Sequence, residues 1–169
     1  MQLINIEIKA RTSKAEFIRQ YLLDHGADFK GVDEQTDTYF NVSNGRLKLR
    51  EGNIEKNLIF YNRPDQQGPK QSDFQLLAVD DSNSLRYILT SALGVKVTVK
   101  KKREIYFIEN VKFHLDSLEG LGNFVEIESS NKDHAISVDK LREQCAFYMK
   151  ELSIADQDLI SASYSDMLM

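Results

Sequence analysis

Three short runs in this chain alternate apolar with charged residues, and their charged faces are sorted by sign. Asn5 to Lys9 reads NIEIK, Arg46 to Arg50 reads RLKLR, and Phe124 to Glu128 reads FVEIE. A period of two is the geometry of an extended strand, whose successive side chains leave opposite faces. The first run sets Glu7 and Lys9 against Ile4, Ile6 and Ile8. The second sets Arg46, Lys48 and Arg50 against Leu47 and Leu49, and the third sets Glu126 and Glu128 against Val125 and Ile127. An ordinary solvated face mixes polar residues without regard to sign, so this sorting points to strands whose polar faces meet around one space.

Other residues extend the pattern. His114 and Asp116 alternate with Phe113 and Leu115, Arg63 ends the row of Ile59 and Tyr61, and Lys101 and Arg103 lie in the run Lys100 to Arg103. The basic character of that run disagrees with the apolar Val95, Val97 and Val99 before it, so a bulge is expected there. Seven cations (Lys9, Arg46, Lys48, Arg50, Arg63, Lys101, Arg103) then oppose four carboxylates (Glu7, Asp116, Glu126, Glu128). A polyanion with a bound dication would balance that excess. Arginine forks and lysine charges hold phosphate oxygens, while carboxylates hold Mg²⁺ or Mn²⁺, which bridges the same oxygens. His114 is read as a hydrogen-bonded wall residue outside the chemistry. The Tyr39–Phe40 and Tyr106–Phe107 pairs and Phe124 are read as packing.

The rest of the chain supplies a barrel's parts. Ser13 as cap with Glu16, the stripe Phe17, Ile18, Tyr21, Leu22 and a following Gly26 predict a helix over Lys14 to His25. Strands are expected near Leu3 to Lys9, Gln35 to Asn41, Arg46 to Arg50, Asn57 to Tyr61, Phe74 to Val79, Val95 to Ile108, Val111 to Leu118 and Asn123 to Ser129. A second helix is expected over Ser82 to Leu93. A third carries Val138, Leu141, Cys145, Tyr148 and Leu152, and the segment from Asp156 onward is ambiguous. With no repeat or linker, this is an α+β chain. Its closed solution is an eight-stranded antiparallel β-barrel or tunnel with a charged interior and its apolar face outward under helices.

Composition sets bounds on function. A chain of 169 residues, 41% hydrophobic and 28% charged with two prolines, is expected to form a single domain over residues 1–169. Net charge of −4 argues against neutralising many phosphates along a duplex, so no nucleic-acid partner is expected. Cys145 is the only cysteine, and no Cys/His spacing suggests zinc, which fits a reducing cytoplasm. No apolar stretch is long enough for a bilayer, and the amino terminus lacks a leader pattern, so neither membrane insertion nor secretion is expected.

Several motifs together resemble the CYTH superfamily, or triphosphate tunnel metalloenzymes, which includes class IV adenylate cyclases and thiamine triphosphatases. NIEIK is similar to the family's E-x-E-x-K opening, RLKLRE to its basic strand, KKREIY to its K-x-R strand, and HLDSLEGLGNFVEIE is the most specific match. RPDQQGPKQSD and SYSDML resemble the class IV cyclase-like branch. The resemblance implies that Glu7, Glu126 and Glu128 bind Mg²⁺ or Mn²⁺ with support from Asp116. It implies that Lys9, Lys48, Arg50, Arg63, Lys101 and Arg103, with Arg46 beside them, contact a triphosphate, and that Lys9, Arg63 and Arg103 serve catalysis. The implied activity is conversion of ATP to cyclic AMP and pyrophosphate. The alternatives are hydrolysis of thiamine, inorganic or nucleoside triphosphate, or non-catalytic nucleotide or polyphosphate sensing; a homodimer is compatible with each. The departure is Asn5, a neutral amide where the family carries its first carboxylate.

Overall fold

The computed structural model describes residues 3–133 and 135–169. Eight strands run in chain order: β1 (Leu3–Arg11), β2 (Asp28–Phe40), β3 (Arg46–Glu51), β4 (Lys56–Asn62), β5 (Lys70–Ala78), β6 (Val95–Ile108), β7 (Val111–Leu118) and β8 (Gly122–Ser130). Among them lie helices α1 (Ala15–Asp24), α2 (Ser82–Leu93), α3 (Val138–Glu151) and the short α4 (Tyr164–Met167). The strands close into a barrel in the order β1-β5-β4-β3-β2-β6-β7-β8, every neighbouring pair antiparallel. This is the expected α+β tunnel with helices outside. The strands expected to begin at Gln35 and Phe74 start earlier than the alternation suggested, at Asp28 and Lys70.

The apolar faces turn outward where helices cover them. Ile6, Ile8, Phe113, Val125 and Ile127 pack with Ile18 and Leu22 of α1 and Leu141 and Cys145 of α3, each at most 1% exposed. Burying an aliphatic or aromatic side chain of this size contributes about 1.5–3 kcal/mol, which offsets the cost of a polar lumen. The helix ends follow local chemistry only in part. Gly26 takes φ 74°, a left-handed conformation that suits glycine after α1. Ser13 does not cap α1: the cap is Lys14, whose N–H donates to Thr12 Oγ1 at 3.0 Å. Asp81 and Ser137 do cap α2 and α3, accepting from Ser84 and Lys140. The apolar residues of α2 are poorly covered, with Ile88 59% exposed.

The bulge expected where the valines of β6 give way to cations is not there. Val99, Lys101 and Arg103 pair in unbroken register with Asp37, Gln35 and Asp33 of β2; the irregularities lie at Phe29/Gly31 of β2 and near the start of β6, where Val97 and Val95 oppose Tyr39 and Phe40 and Lys96 is the extra residue. Valines and cations share one inward face because the lumen itself is graded. Val97, Val99, Tyr39, Ile59, Tyr61, Phe74, Leu118 and Phe124 form a second apolar cluster inside the barrel.

Candidate functional site

Register decides which inward side chains meet. Glu7 of β1 stands level with Glu128 of β8, and Lys9 with Glu126. On β7, His114 stands level with Glu126 and Lys112 with Glu128. Four steps around the barrel from β1 is β2, flanked by β3 and β6, which carry Lys48, Arg50, Lys101 and Arg103. A carboxylate arc on β8 and β1 therefore faces a cationic arc on β3 and β6 across one cavity. The cavity encloses about 1210 Å³ of space open to solvent, and Glu7, Lys9, Lys48, Arg50, Arg63, Lys101, Arg103, Glu126 and Glu128 all line it.

The charges are paired and desolvated. Arg103 forks onto Asp116 with two 2.7 Å bonds and reaches Glu126 Oε1 at 2.7 Å. Arg63 donates to Glu7 Oε1 at 2.6 Å. Burial pushes Lys9 down to about 8, against the pull of Glu126, with Arg63 adding to the depression. Burial likewise takes Lys101 to about 8 and holds Lys48 well below the usual lysine range, with Arg50 beside it. Glu126, although buried, is held well below the usual carboxylate range by Arg103 and Lys9. Glu128 is pushed up to about 7 by burial and the charge of Glu7.

Two acids that the sequence reading missed reshape the balance. Asp37, 1% exposed, accepts a fork from Arg50 at 2.9 and 2.8 Å and a bond from Lys101 at 2.7 Å, with Lys48 at 3.8 Å. Glu55 takes Lys112 at 2.5 Å and Arg50 at 3.5 Å. Asp37 shares its face of β2 with Gln35 and Tyr39, so its inward face was readable, although its partners were not. Glu55 lies in the turn after β3, where alternation gives no signal. That turn is held by Asp33, whose carboxylate accepts from the N–H of Ile54 and of Glu55 at 2.9 and 3.0 Å. Gly52 is required beneath it, since a Cβ there would stand 2.4 Å from Asp33 Oδ1.

Arg46 is the one cation the structure sets apart. It shares the inward parity of Lys48 and Arg50, yet its guanidinium donates to Ser163 Oγ at 2.7 Å, Ser165 Oγ at 3.0 Å and Asp166 Oδ2 at 2.9 Å. It thereby fastens the ambiguous carboxy-terminal segment across one end of the barrel. Tyr164, carried by α4 behind a Ser163 capping box, donates to Asp116 Oδ2 at 2.8 Å and lies under Lys9, whose Nζ is 3.7 Å from the ring centroid. Phe124 packs against Tyr164 inside the barrel, and Tyr39 lines the cavity, whereas Tyr106 packs outside. His114 is not hydrogen-bonded: it is fully buried and neither ring nitrogen has a partner.

The carboxylate arc fits a dication. Glu126 and Glu128 come together there, with Glu7 level with Glu128 but bonded to Arg63, and a cation would relieve the burial and like charge that raise Glu128. The buried Oδ1 of Asn5 has no partner and stands level with Ser130, one inward position from the pair of Glu7 and Glu128.

Comparison with known proteins agrees with this architecture. A Methanocaldococcus jannaschii protein, named provisionally as an adenylate cyclase, is 28% identical over 98% of this chain and 98% of its own. The PH1012 protein of Pyrococcus horikoshii OT3 superposes with a TM-score of 0.78 at 24% identity, over 98% of each chain. A Hippeastrum protein titled as a provisional adenylyl cyclase with a dominant triphosphatase activity gives a TM-score of 0.60 at 14% identity, covering 99% of this chain and 94% of that one. The CYTH domain model matches residues 3–164, nearly the whole chain. The chain belongs to the CYTH domain family.

Proposed function

We propose that this chain is a divalent-metal-dependent enzyme acting on an organic triphosphate, with class IV adenylate cyclase-like conversion of ATP to cyclic AMP and pyrophosphate as the leading reaction. The observation that carries the reading is the pair of facing arcs, cations on β3 and β6 against carboxylates on β8 and β1, around one open cavity. Phosphate oxygens would lie along Lys48, Arg50, Lys101 and Arg103, with Lys9 and Arg63 reaching in from β1 and from the residue after β4. Glu7, Glu126 and Glu128 would hold Mg²⁺ or Mn²⁺, with Asp116 supporting through Arg103. A dication there supplies positive charge to phosphate oxygens as negative charge shifts between them. The cavity is open to solvent, and its apolar wall of Tyr39, Ile59, Tyr61, Phe74 and Leu76 offers a surface for an organic group.

In the cyclase reaction the 3′ hydroxyl attacks the α-phosphorus and the bond to the bridging oxygen of pyrophosphate breaks. Charge then grows on the leaving pyrophosphate. Arg50 and Arg103 stabilise it without reorganisation, because Asp37 and Asp116 already fix their forks by two bonds each. Lys9, Arg63 and Arg103, nearest the carboxylates, bridge the two arcs and orient the reacting phosphate. Arg46, fastened to the carboxy-terminal segment, positions the closed end.

A second reading, triphosphate hydrolysis, is favoured by the three carboxylates that remain without Asn5, enough to hold a dication, and by the activity in the Hippeastrum neighbour's title. Both readings take the chain as one domain acting on a small molecule in the cytoplasm, without nucleic acid or membrane. Incubation with ATP, thiamine triphosphate and inorganic triphosphate, with Mg²⁺ or Mn²⁺, separates them by product. Cyclic AMP with pyrophosphate supports the cyclase, and orthophosphate supports the hydrolase. Tight binding without turnover leaves a sensor, and neither binding nor turnover of any of the three refutes a triphosphate site.

A further inference from the structure

His114 has no role in the reading above, and its surroundings give it one. The imidazole is 0% exposed, points into the barrel between Ile105 on β6 and Glu126 on β8, and has no hydrogen-bond partner at either nitrogen. Buried polar nitrogens almost always have partners, and leaving them unpaired is unfavourable, so an orphaned pair points to an absent ligand. Nδ1 lies 3.7 Å from Glu128 Oε1 and 3.9 Å from Glu126 Oε1. Those separations are too long for hydrogen bonds. They match donors around one ion: ligands each about 2.0–2.2 Å from a first-row dication stand about 3–4 Å apart. Among the described residues, His114, Glu126 and Glu128 form the cluster whose ligand atoms all fall within 4.8 Å of one another.

We propose that His114 Nδ1 is a nitrogen ligand to the tunnel's dication, beside Glu126 and Glu128, and that it biases the site toward a transition-metal ion such as Mn²⁺ or Co²⁺ over Mg²⁺. This rests on the reading that the carboxylate arc binds a dication, and goes beyond it in ligand and metal class. Mg²⁺ is served by oxygen donors and retains water, whereas imidazole adds affinity in the order Mg²⁺-like ions lack and Mn²⁺ and Co²⁺ follow. The sequence moves the same way at Asn5, which offers an amide in place of a hard carboxylate. Glu126 Oε1 also accepts from Arg103 at 2.7 Å, so ligation there uses its remaining lone pair, beside Glu128 and the imidazole.

The test uses the full chain stripped with EDTA. Pulsed EPR of the Mn²⁺-loaded wild type should show nitrogen modulation that changes from ¹⁴N to ¹⁵N when histidine is isotopically labelled, and it needs no variant to fold. Calorimetric titration of wild type, His114→Gln and Glu126→Gln with Mg²⁺, Mn²⁺ and Co²⁺ follows. His114→Gln should weaken Mn²⁺ and Co²⁺ by about tenfold or more and Mg²⁺ by less than about threefold. Absence of histidine nitrogen modulation in the Mn²⁺-loaded wild type overturns the inference, as does an equal loss for all three ions. If in that case Glu126→Gln still abolishes Mn²⁺ binding, the carboxylate site stands and only the role of His114 falls. A wild type that binds none of the ions refutes both.

Discussion

Replacing Asp37 with Asn should be the most destabilising isosteric change in the tunnel, and it should tighten anion binding. One carboxylate at 1% exposure touches Arg50 at 2.8 Å and Lys101 at 2.7 Å and has Lys48 at 3.8 Å. Removing one member of a buried ion pair costs about 3–5 kcal/mol, because the remaining charge stays desolvated without a partner. Three cations share this partner, so the upper half of that range is expected. At about 2–4 °C per kcal/mol for a chain of this size, the melting midpoint should fall by roughly 8–20 °C. The exposed pair of Lys30 with Asp28 provides the control: it is as short, 2.6 Å, but 49% and 63% exposed. Asp28→Asn should cost less than about 1 kcal/mol. Differential scanning calorimetry without ligand measures both midpoints. Inorganic triphosphate should then bind Asp37→Asn more tightly than wild type and recover more of the lost midpoint, since it replaces the missing anion. A loss under about 2 °C, or weaker triphosphate binding in the variant, would refute the view that Asp37 is the internal counter-charge of the cationic arc.

Three further outcomes are expected. Burial alone would raise the Glu55 carboxyl, but Lys112 and Arg50 outweigh it and hold it far below the usual range, so its ionised form stabilises the fold above the unfolded carboxylate pKa of about 4.3 and loses that contribution as pH falls. Glu55→Gln should therefore be less stable than wild type at pH 7, with the difference shrinking below about pH 4 in urea titrations. Gly52→Ala drives a Cβ against the Asp33 carboxylate and should cost about 1–3 kcal/mol, with a non-additive double mutant when combined with Asp33→Ala, measured by chemical denaturation. Arg46→Ala removes every guanidinium bond to Ser163, Ser165 and Asp166, and hydrogen exchange at residues 163–168 should accelerate by about tenfold or more while α3 keeps its protection; unchanged exchange would show that Tyr164 alone holds the segment.

Alternation made the inward faces readable because extended backbone has a strict period of two. Glu7, Lys9, Lys48, Arg50, Glu126 and Glu128 could be assigned to inward faces from their neighbours alone. The same rule misled at β6, where a change from valine to lysine on one face suggested a bulge. The chain keeps its register there because the lumen changes from apolar to charged along its length. The cap of α1 was misjudged because only the backbone path decides where the helix begins: it sets Lys14 at the cap position with no side-chain cap, and turns its N–H to the Thr12 hydroxyl.

By itself the sequence determined which residues are strand, which side of each strand is charged, and that the charged sides share a purpose, since these follow from local geometry and composition. The partners were decided by tertiary structure. Barrel closure brings β8 against β1 and sets β2 between β3 and β6, so Asp37 meets three cations from two different strands. It also turns Arg46 to the carboxy-terminal segment although its parity equals that of Arg50, and leaves His114 beside two glutamates without a hydrogen bond. Such pairings depend on strand order and register between residues as many as 120 positions apart, as Arg46 and Asp166 are, and a local period carries no information over that distance.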